Sequence, residues 1–137
     1  MSLEDNKRVV MDYFDAVMAV DTAKLDSLIA EGATQWLMPG TPLSGTVERD
    51  QMVGGIQFLA SVAAGPIVIT PGIVTAEDDR VAVTATSNIP LKSGKTYANN
   101  YHMLFQLKDG KITHIKEYFD SAHVNETLVE LVNATAE

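Results

Sequence analysis

Cysteine is absent from the 137 residues, which excludes disulfides and thiolate-held metals and suits a reducing compartment. Positive charge is scarce as well: 10 Lys and Arg stand against 18 Asp and Glu, a formal charge of −8. Nucleic acid and anionic membrane surfaces both ask for a basic footprint, so neither is an expected partner. The histidines are few, His102, His114 and His123, and their spacing resembles no metal site. A phosphate-cradling glycine loop, a serine nucleophile elbow and a thiol nucleophile are missing too. The expectation is a protein without metal or cofactor. The amino terminus, MSLEDNKR, carries no apolar run behind its charges, so no signal peptide is expected and a cytoplasmic location is.

Charge itself disappears from residues 51–76, a length that raises the question of a membrane span. Gly54-Gly55, Gly65-Pro66 and Pro71-Gly72 interrupt the stretch, and Gln51 and Gln57 lie within it. A helix, a break and a strand in a buried core is the better reading. Inside that helix Gly54-Gly55 costs stability, which points to close backbone packing or a kink.

What is present is one domain's worth of chain, long enough to bury roughly two-thirds of its unfolded surface. Ser2 and Asp5 form a capping pair, after which Val9, Val10, Tyr13, Phe14 and Val17 recur at helical spacing. Asp21 caps a short second helix that Gly32 ends, and residues 34–38 read as a strand closed by Pro39-Gly40-Thr41-Pro42. Thr46 offers the cap of a third helix, running to about residue 64 with Met52, Ile56 and Leu59 on one side. Beyond Gly65-Pro66 the pattern turns to strands at residues 67–76, 80–89, 95–107 and 111–119, with Pro71-Gly72 marking a bulge or edge irregularity. Helices first and strands later predict an α+β fold, with helices on one face of an antiparallel sheet. The whole of residues 1–137 reads as a single domain, its core at about 3–124 and a helix or loose tail at 125–137.

The last strand sorts by alternation: Ile115, Glu117 and Phe119 share one face, and His114, Lys116, Tyr118 and Asp120 share the other. The strand before it sets Tyr97, Asn99, Tyr101, Met103, Phe105 and Leu107 on one face and His102 on the other. A three-residue loop, Lys108-Asp109-Gly110 with Gly110 left-handed, aligns apolar face with apolar face. It sets Glu117 beside Tyr101, within reach of Asn99 and Met103. A carboxylate on such a face has its pKa raised by desolvation and is a candidate general acid or base. The alternative is a carboxylate satisfied by neighbouring donors with no chemistry to do.

Four pieces then resemble a known family: Asp21 with GATQWLMPG, PLSGTVERDQM, GKTYANNYHMLFQLKDGKI and IKEYFD. From Tyr13 to about Val124 the chain resembles the SnoaL-like group of the nuclear transport factor two superfamily, which includes ketosteroid isomerase-related proteins. The resemblance implies a cone-shaped roll, a strongly curved antiparallel sheet wrapped around helices over a deep apolar pocket. It implies homodimers through the outer sheet face, and reactions ranging from isomerisation and cyclisation to epoxide hydrolysis, beside proteins that only bind. Tyr13 matches the steroid isomerase's oxyanion-binding tyrosine, whereas Met38 and Met103 stand where its two aspartates fall. Glu117 matches the acid/base carboxylate of SnoaL-type cyclases, whose polar partner again falls at Met103. Limonene epoxide hydrolases also carry an acid at the Glu117 position, but residues 84–89 supply neither the arginine nor the second aspartate they need.

The expected site therefore has Glu117, Tyr13 and Tyr101 as catalytic groups. Trp36, Met38, Asn99, Met103, Phe119, Ile56 and Phe58 are expected to bind a small apolar or polycyclic substrate. Trp36 and Met38 equally suit a core role, and Tyr13 suits a core tyrosine. Asp120 and His102 are weaker candidates: Asp120 suits a cap after the strand or a partner contact, and His102 faces outward. Two functions stay open, a cofactor-independent acid/base enzyme and a binding or dimerisation module without catalysis.

Overall fold

Ser2 and Asp5 close a reciprocal box at the head of α1 (Leu3–Ala19), each side chain accepting the other's backbone N–H at 3.0 and 3.1 Å. Two of the N–H groups that a helix start leaves without helical partners thereby find acceptors. Val10, Tyr13, Phe14 and Val17 form the buried stripe, and left-handed Val20 ends the helix. Asp21 caps α2 (Thr22–Leu28) through Lys24 N. The structure, a computed structural model, describes residues 1–136.

The first strand begins sooner than its pattern suggests. Gly32, expected to stop α2, lies inside β1 (Ile29–Leu37) with φ of 77°. It sits where the register against the last strand shifts, between Ile29 and Thr34. Thr46 caps no helix; it belongs to β2 (Gly45–Glu48), paired antiparallel with β1. Glu48 is instead the N-cap of α3 (Arg49–Val62), and its backbone N–H is taken by the Gln51 side chain at 3.0 Å. Close packing does not explain Gly54-Gly55, since a Cβ at either position would meet nothing within 4 Å.

The remaining strands are β3 (Val68–Glu77), β4 (Arg80–Pro90), β5 (Thr96–Tyr97), β6 (Asn100–Lys108) and β7 (Lys111–Phe119). Their order is β2-β1-β7-β6-β4-β3, with β5 paired to β4. The fold is α+β as expected, but the sheet is mixed, because β1 and β7 run parallel. No tight turn joins these two strands, so nothing forces them antiparallel. Pro71-Gly72 does mark an irregularity, a register shift between Pro71 and Val74 on the edge strand β3. The strand expected at 95–107 is broken at Ala98 and Asn99. The carboxy-terminal segment forms α4 (Ser121–Thr127) and α5 (Val129–Ala136), starting earlier than expected because Asp120 caps α4 through His123 N at 3.2 Å. Among the described residues no helix is long and apolar enough to cross a membrane.

The β6–β7 hairpin corrects one expectation while keeping its consequence. Lys108 pairs with Lys111, and both Asp109 and Gly110 have positive φ, 51° and 77°. The loop is thus a two-residue type I′ turn rather than a three-residue one. Left regular, that turn would pair Glu117 with His102 and aim it outward. A bulge intervenes: Leu107 pairs with Ile112 and Gln106 with His114, leaving Thr113 unpaired with its hydroxyl on the Gln106 carbonyl at 3.1 Å. Beyond it Phe105 faces Ile115, Met103 faces Glu117 and Tyr101 faces Phe119. The inner sheet face then meets α1 through Phe105, which stacks edge-on with Tyr13 and Phe14 at 5.4 and 5.8 Å.

Candidate functional site

The hairpin register, the stripe of α1 and the inner residues of β1 converge on one cavity of about 410 Å³. Phe14, Val17, Met52, Ile56, Leu59 and Met103 supply much of its apolar wall. The polar groups that reach it are few: Glu117, Gln35, Gln51 and the tyrosines Tyr13, Tyr97 and Tyr101.

Glu117 is the one carboxylate among the described lining residues. It is half-buried, and the side that remains accessible is cavity wall. The carboxylate's only hydrogen bond among the described residues is a long one, from Gln35 Nε2 to Oε1 at 3.5 Å. Removal from water therefore dominates, and burial pushes the carboxyl up to about 7. The tyrosines move the same way. Burial raises Tyr13 and Tyr101 well above the ordinary phenol range, with the Glu117 charge adding to it, and raises Tyr97 to about 12. All three stay protonated donors at neutral pH.

Tyr13 is buried, yet its hydroxyl has no protein partner among the described residues. No fully buried side-chain oxygen or nitrogen is left unpaired in them either, so the Tyr13 hydroxyl borders the cavity space. Tyr101 and Tyr97 are tied together, hydroxyl to hydroxyl at 3.1 Å, and Ser87 Oγ meets the Tyr101 hydroxyl at 3.0 Å.

The structure brings Glu117, Tyr13, Tyr101, Met103, Ile56 and Phe58 together around the cavity. It separates the others. Trp36 points to the outer sheet face, edge-on to Tyr118 at 5.2 Å with the Lys116 ammonium over its ring. The inward residues of β1 are Gln35 and Leu37 instead. Met38 folds over the strand end, its sulfur accepting Phe119 N–H at 3.1 Å, and neither Met38 nor Phe119 lines the cavity.

Asn99 does not line the cavity, and its amide is taken up within the protein. Its Oδ1 accepts from Asn100 N and Asp120 N at 2.7 and 2.9 Å. Its Nδ2 donates to the Tyr97 hydroxyl and the Asp120 carbonyl at 3.1 and 3.2 Å. The amide is fully committed to pinning the end of β7 against the break between β5 and β6. Asp120 is the α4 cap, and His102 is exposed on the outer face. Among the described residues no group of three His, Asp or Glu side chains could hold a metal ion.

Sequence reasoning missed Gln35, Leu37, Gln51 and Tyr97. For Tyr97 the signal was available, since it shares a strand face with Tyr101 and Met103. Gln35 gave none, because a polar residue flanked by Thr34 and Trp36 reads as outward unless its partner Glu117 is already known to be inside.

Helices capping a curved mixed sheet, with an apolar cavity between them and one acid inside, define a cone-fold pocket domain. The model of the SnoaL-like domain matches residues 10–115, and the chain belongs to that family. Among solved structures, an NTF2-like protein from Burkholderia xenovorans is 25% identical, with 92% of this chain and 97% of that one covered and a TM-score of 0.75. IdmH from Streptomyces antibioticus, a candidate polyketide cyclase, is 18% identical over 90% of this chain and 97% of its own, with a TM-score of 0.74. PrhC from Penicillium brasilianum is 13% identical over 98% of this chain and 92% of its own, at 0.84. At 18% and 13% identity the likeness is one of fold.

Proposed function

We propose that the cavity takes a small, largely apolar molecule and that Glu117 moves a proton on it, in a reaction of isomerase, cyclase or hydrolase type. One observation carries this reading: the one carboxyl of the described lining, pushed up to about 7 by burial, stands in an apolar cavity beside tyrosine hydroxyls that stay protonated. A group with that pKa is present in both forms near neutrality, so it can take a proton and return it. The Tyr13 and Tyr97 hydroxyls, whose protons no described group accepts, supply donors where negative charge would develop on a substrate oxygen, while Tyr101 gives its proton to Tyr97. The steroid isomerase's pair of aspartates is not available, since Met103 lines the cavity and Met38 turns away from it. The cyclase-type neighbour supports the reaction class by analogy of fold alone.

Proton transfer is tested with 2-tetralone, a bicyclic ketone with acidic C–H groups beside its carbonyl, in deuterated buffer. The protein is expected to speed exchange of those hydrogens, and Glu117→Gln to slow the catalysed rate at least a hundredfold. Catalysed exchange at an unchanged rate in Glu117→Gln would sink the assignment. A binding role without catalysis is the second reading, favoured by the absence of any other ionised side chain in the described lining. It predicts ligand affinity that changes with Glu117→Gln and no exchange in either protein.

We also propose that two copies pack through the outer sheet face. Tyr118, 42% exposed there, and the neighbouring Trp36 give it an aromatic centre.

A further inference from the structure

Hydrogen-bond direction around the cavity can be counted, because one residue fixes it. Two backbone N–H groups, of Asn100 and Asp120, point at Asn99 Oδ1, so the amide orientation is set and Nδ2 must donate. One of its bonds goes to the Tyr97 oxygen at 3.1 Å. The Tyr101 hydroxyl also donates to the Tyr97 oxygen, at 3.1 Å. Tyr101 has a single proton, so its 3.0 Å contact with Ser87 must be donated by Ser87 Oγ. Ser87 Oγ in turn accepts the Asn99 backbone N–H at 3.1 Å. Every link runs the same way, from the Asn99 backbone through Ser87 and Tyr101 to Tyr97. The Tyr97 oxygen accepts twice, and no described group accepts its proton.

The ring that carries this proton is held firmly. Tyr97 is 6% exposed. It stacks on His123 with ring centroids 5.6 Å apart and planes 12° apart, and His123 Nε2 accepts Ala98 N–H at 2.9 Å. Tyr13 differs, since among the described residues no neighbour orients its hydroxyl. An aligned chain of donors polarises its last member, and a fixed dipole needs no reorganisation when charge develops.

We propose that Tyr97, rather than Tyr13 or Tyr101, is the donor that meets the carbonyl oxygen of a substrate whose neighbouring C–H Glu117 attacks. Tyr101 and Ser87 are positioning residues behind it. The inference rests on Glu117 as acid/base. Glu117 takes the proton from the carbon beside the carbonyl, and the C–H electron pair becomes the C=C bond of an enolate. The carbonyl π pair moves onto oxygen, which the Tyr97 O–H steadies by a hydrogen bond without giving up its proton. The protonated Glu117 then returns its proton to carbon.

The test uses 2-tetralone and its hydrocarbon counterpart tetralin with the full chain, reading the infrared carbonyl band of bound ketone and the affinity ratio of the pair. In the wild type the band is expected at lower wavenumber than in a hydrocarbon solvent. Tyr97→Phe returns it to the hydrocarbon position and reduces the preference for ketone over tetralin about tenfold. Tyr13→Phe and Glu117→Gln leave the band displaced. Tyr101→Phe, which keeps the Tyr97 hydroxyl but removes its orienting donor, makes the displacement smaller. That variant carries the test if Tyr97→Phe does not fold. A displacement that survives Tyr97→Phe, one lost only in Tyr13→Phe or left whole by Tyr101→Phe, or a wild type that binds ketone no better than tetralin would overturn the proposal. Exchange that persists in Glu117→Gln while Tyr97→Phe abolishes the displacement would refute the Glu117 reading and leave the Tyr97 donor standing.

Discussion

Glu117 ionises in two surroundings, water in the unfolded chain and an apolar cavity in the folded one, and the difference appears as stability. Its ordinary value is 4.5, and burial raises it to about 7 in the folded protein. Between those values the folded chain keeps a proton that the unfolded chain has released. Its contribution is therefore complete below the unfolded value and is lost as the pH rises through the folded one. Allowing for the water that reaches the half-buried carboxyl, the loss is on the order of 2 kcal/mol. Urea denaturation of Glu117→Gln and wild type isolates it. The variant is expected to gain about 2 kcal/mol on the wild type between about pH 5 and about pH 8, and a constant difference would contradict the burial argument. The same carboxyl shows what single positions disclose in a sequence. An acid among Ile115, Phe119 and Met103 is conspicuous because apolar alternation surrounds it. Its partner Gln35 is silent, since a hydrophobic pattern treats a buried amide as an outward one. Asn99 misleads for a related reason: its face was legible, but its two bonds to the Asp120 backbone depend on contacts 21 residues away.

At the level of elements, ends and turns follow local chemistry closely. The box at Ser2, the cap at Asp21 and the Asp109-Gly110 turn all stand where side-chain hydrogen bonds or glycine permit them. Helix starts fail where two elements compete for the same residues. Thr46 has the right side chain for a cap, yet pairing with Trp36 on β1 claims it for a strand, and the helix waits for Glu48. The break at Ala98 and Asn99 was hidden for a similar reason, because alternation continues across it while the ladder does not. In α3 the glycines have no packing role that a Cβ would spoil. Gly54→Ala is expected to raise stability by about 1 kcal/mol, since alanine loses less backbone freedom in a helix. Thermal unfolding checks this, and a destabilised variant would mean that α3 needs that freedom.

Taken whole, the molecule carries a net charge of −8 while its sheet exposes an aromatic outer centre at Tyr118 and Trp36. If two copies meet through that face, like charge opposes them at long range and salt relieves the opposition. Sedimentation velocity is expected to show a dimer that tightens as sodium chloride rises from about 20 mM to about 300 mM, where the screening length falls below about 10 Å. Tyr118→Glu is expected to shift the protein to monomer. A monomer at every salt concentration would remove the outer face as an interface.

The unpaired Thr113 reaches beyond the hairpin that contains it. Along a strand, inside and outside are a matter of odd and even, and one surplus residue changes the parity of everything that follows. Counting from the Asp109-Gly110 turn, Glu117 has the wrong parity for the cavity, and Thr113 corrects it. A relative lacking that residue could keep its acid inside with one position fewer after the turn. Column-by-column alignment from the turn without a gap there would then set its inward acid against Lys116, which is outward here. Comparing sites across such proteins therefore requires matching ladder partners, Met103 with Glu117, before matching letters.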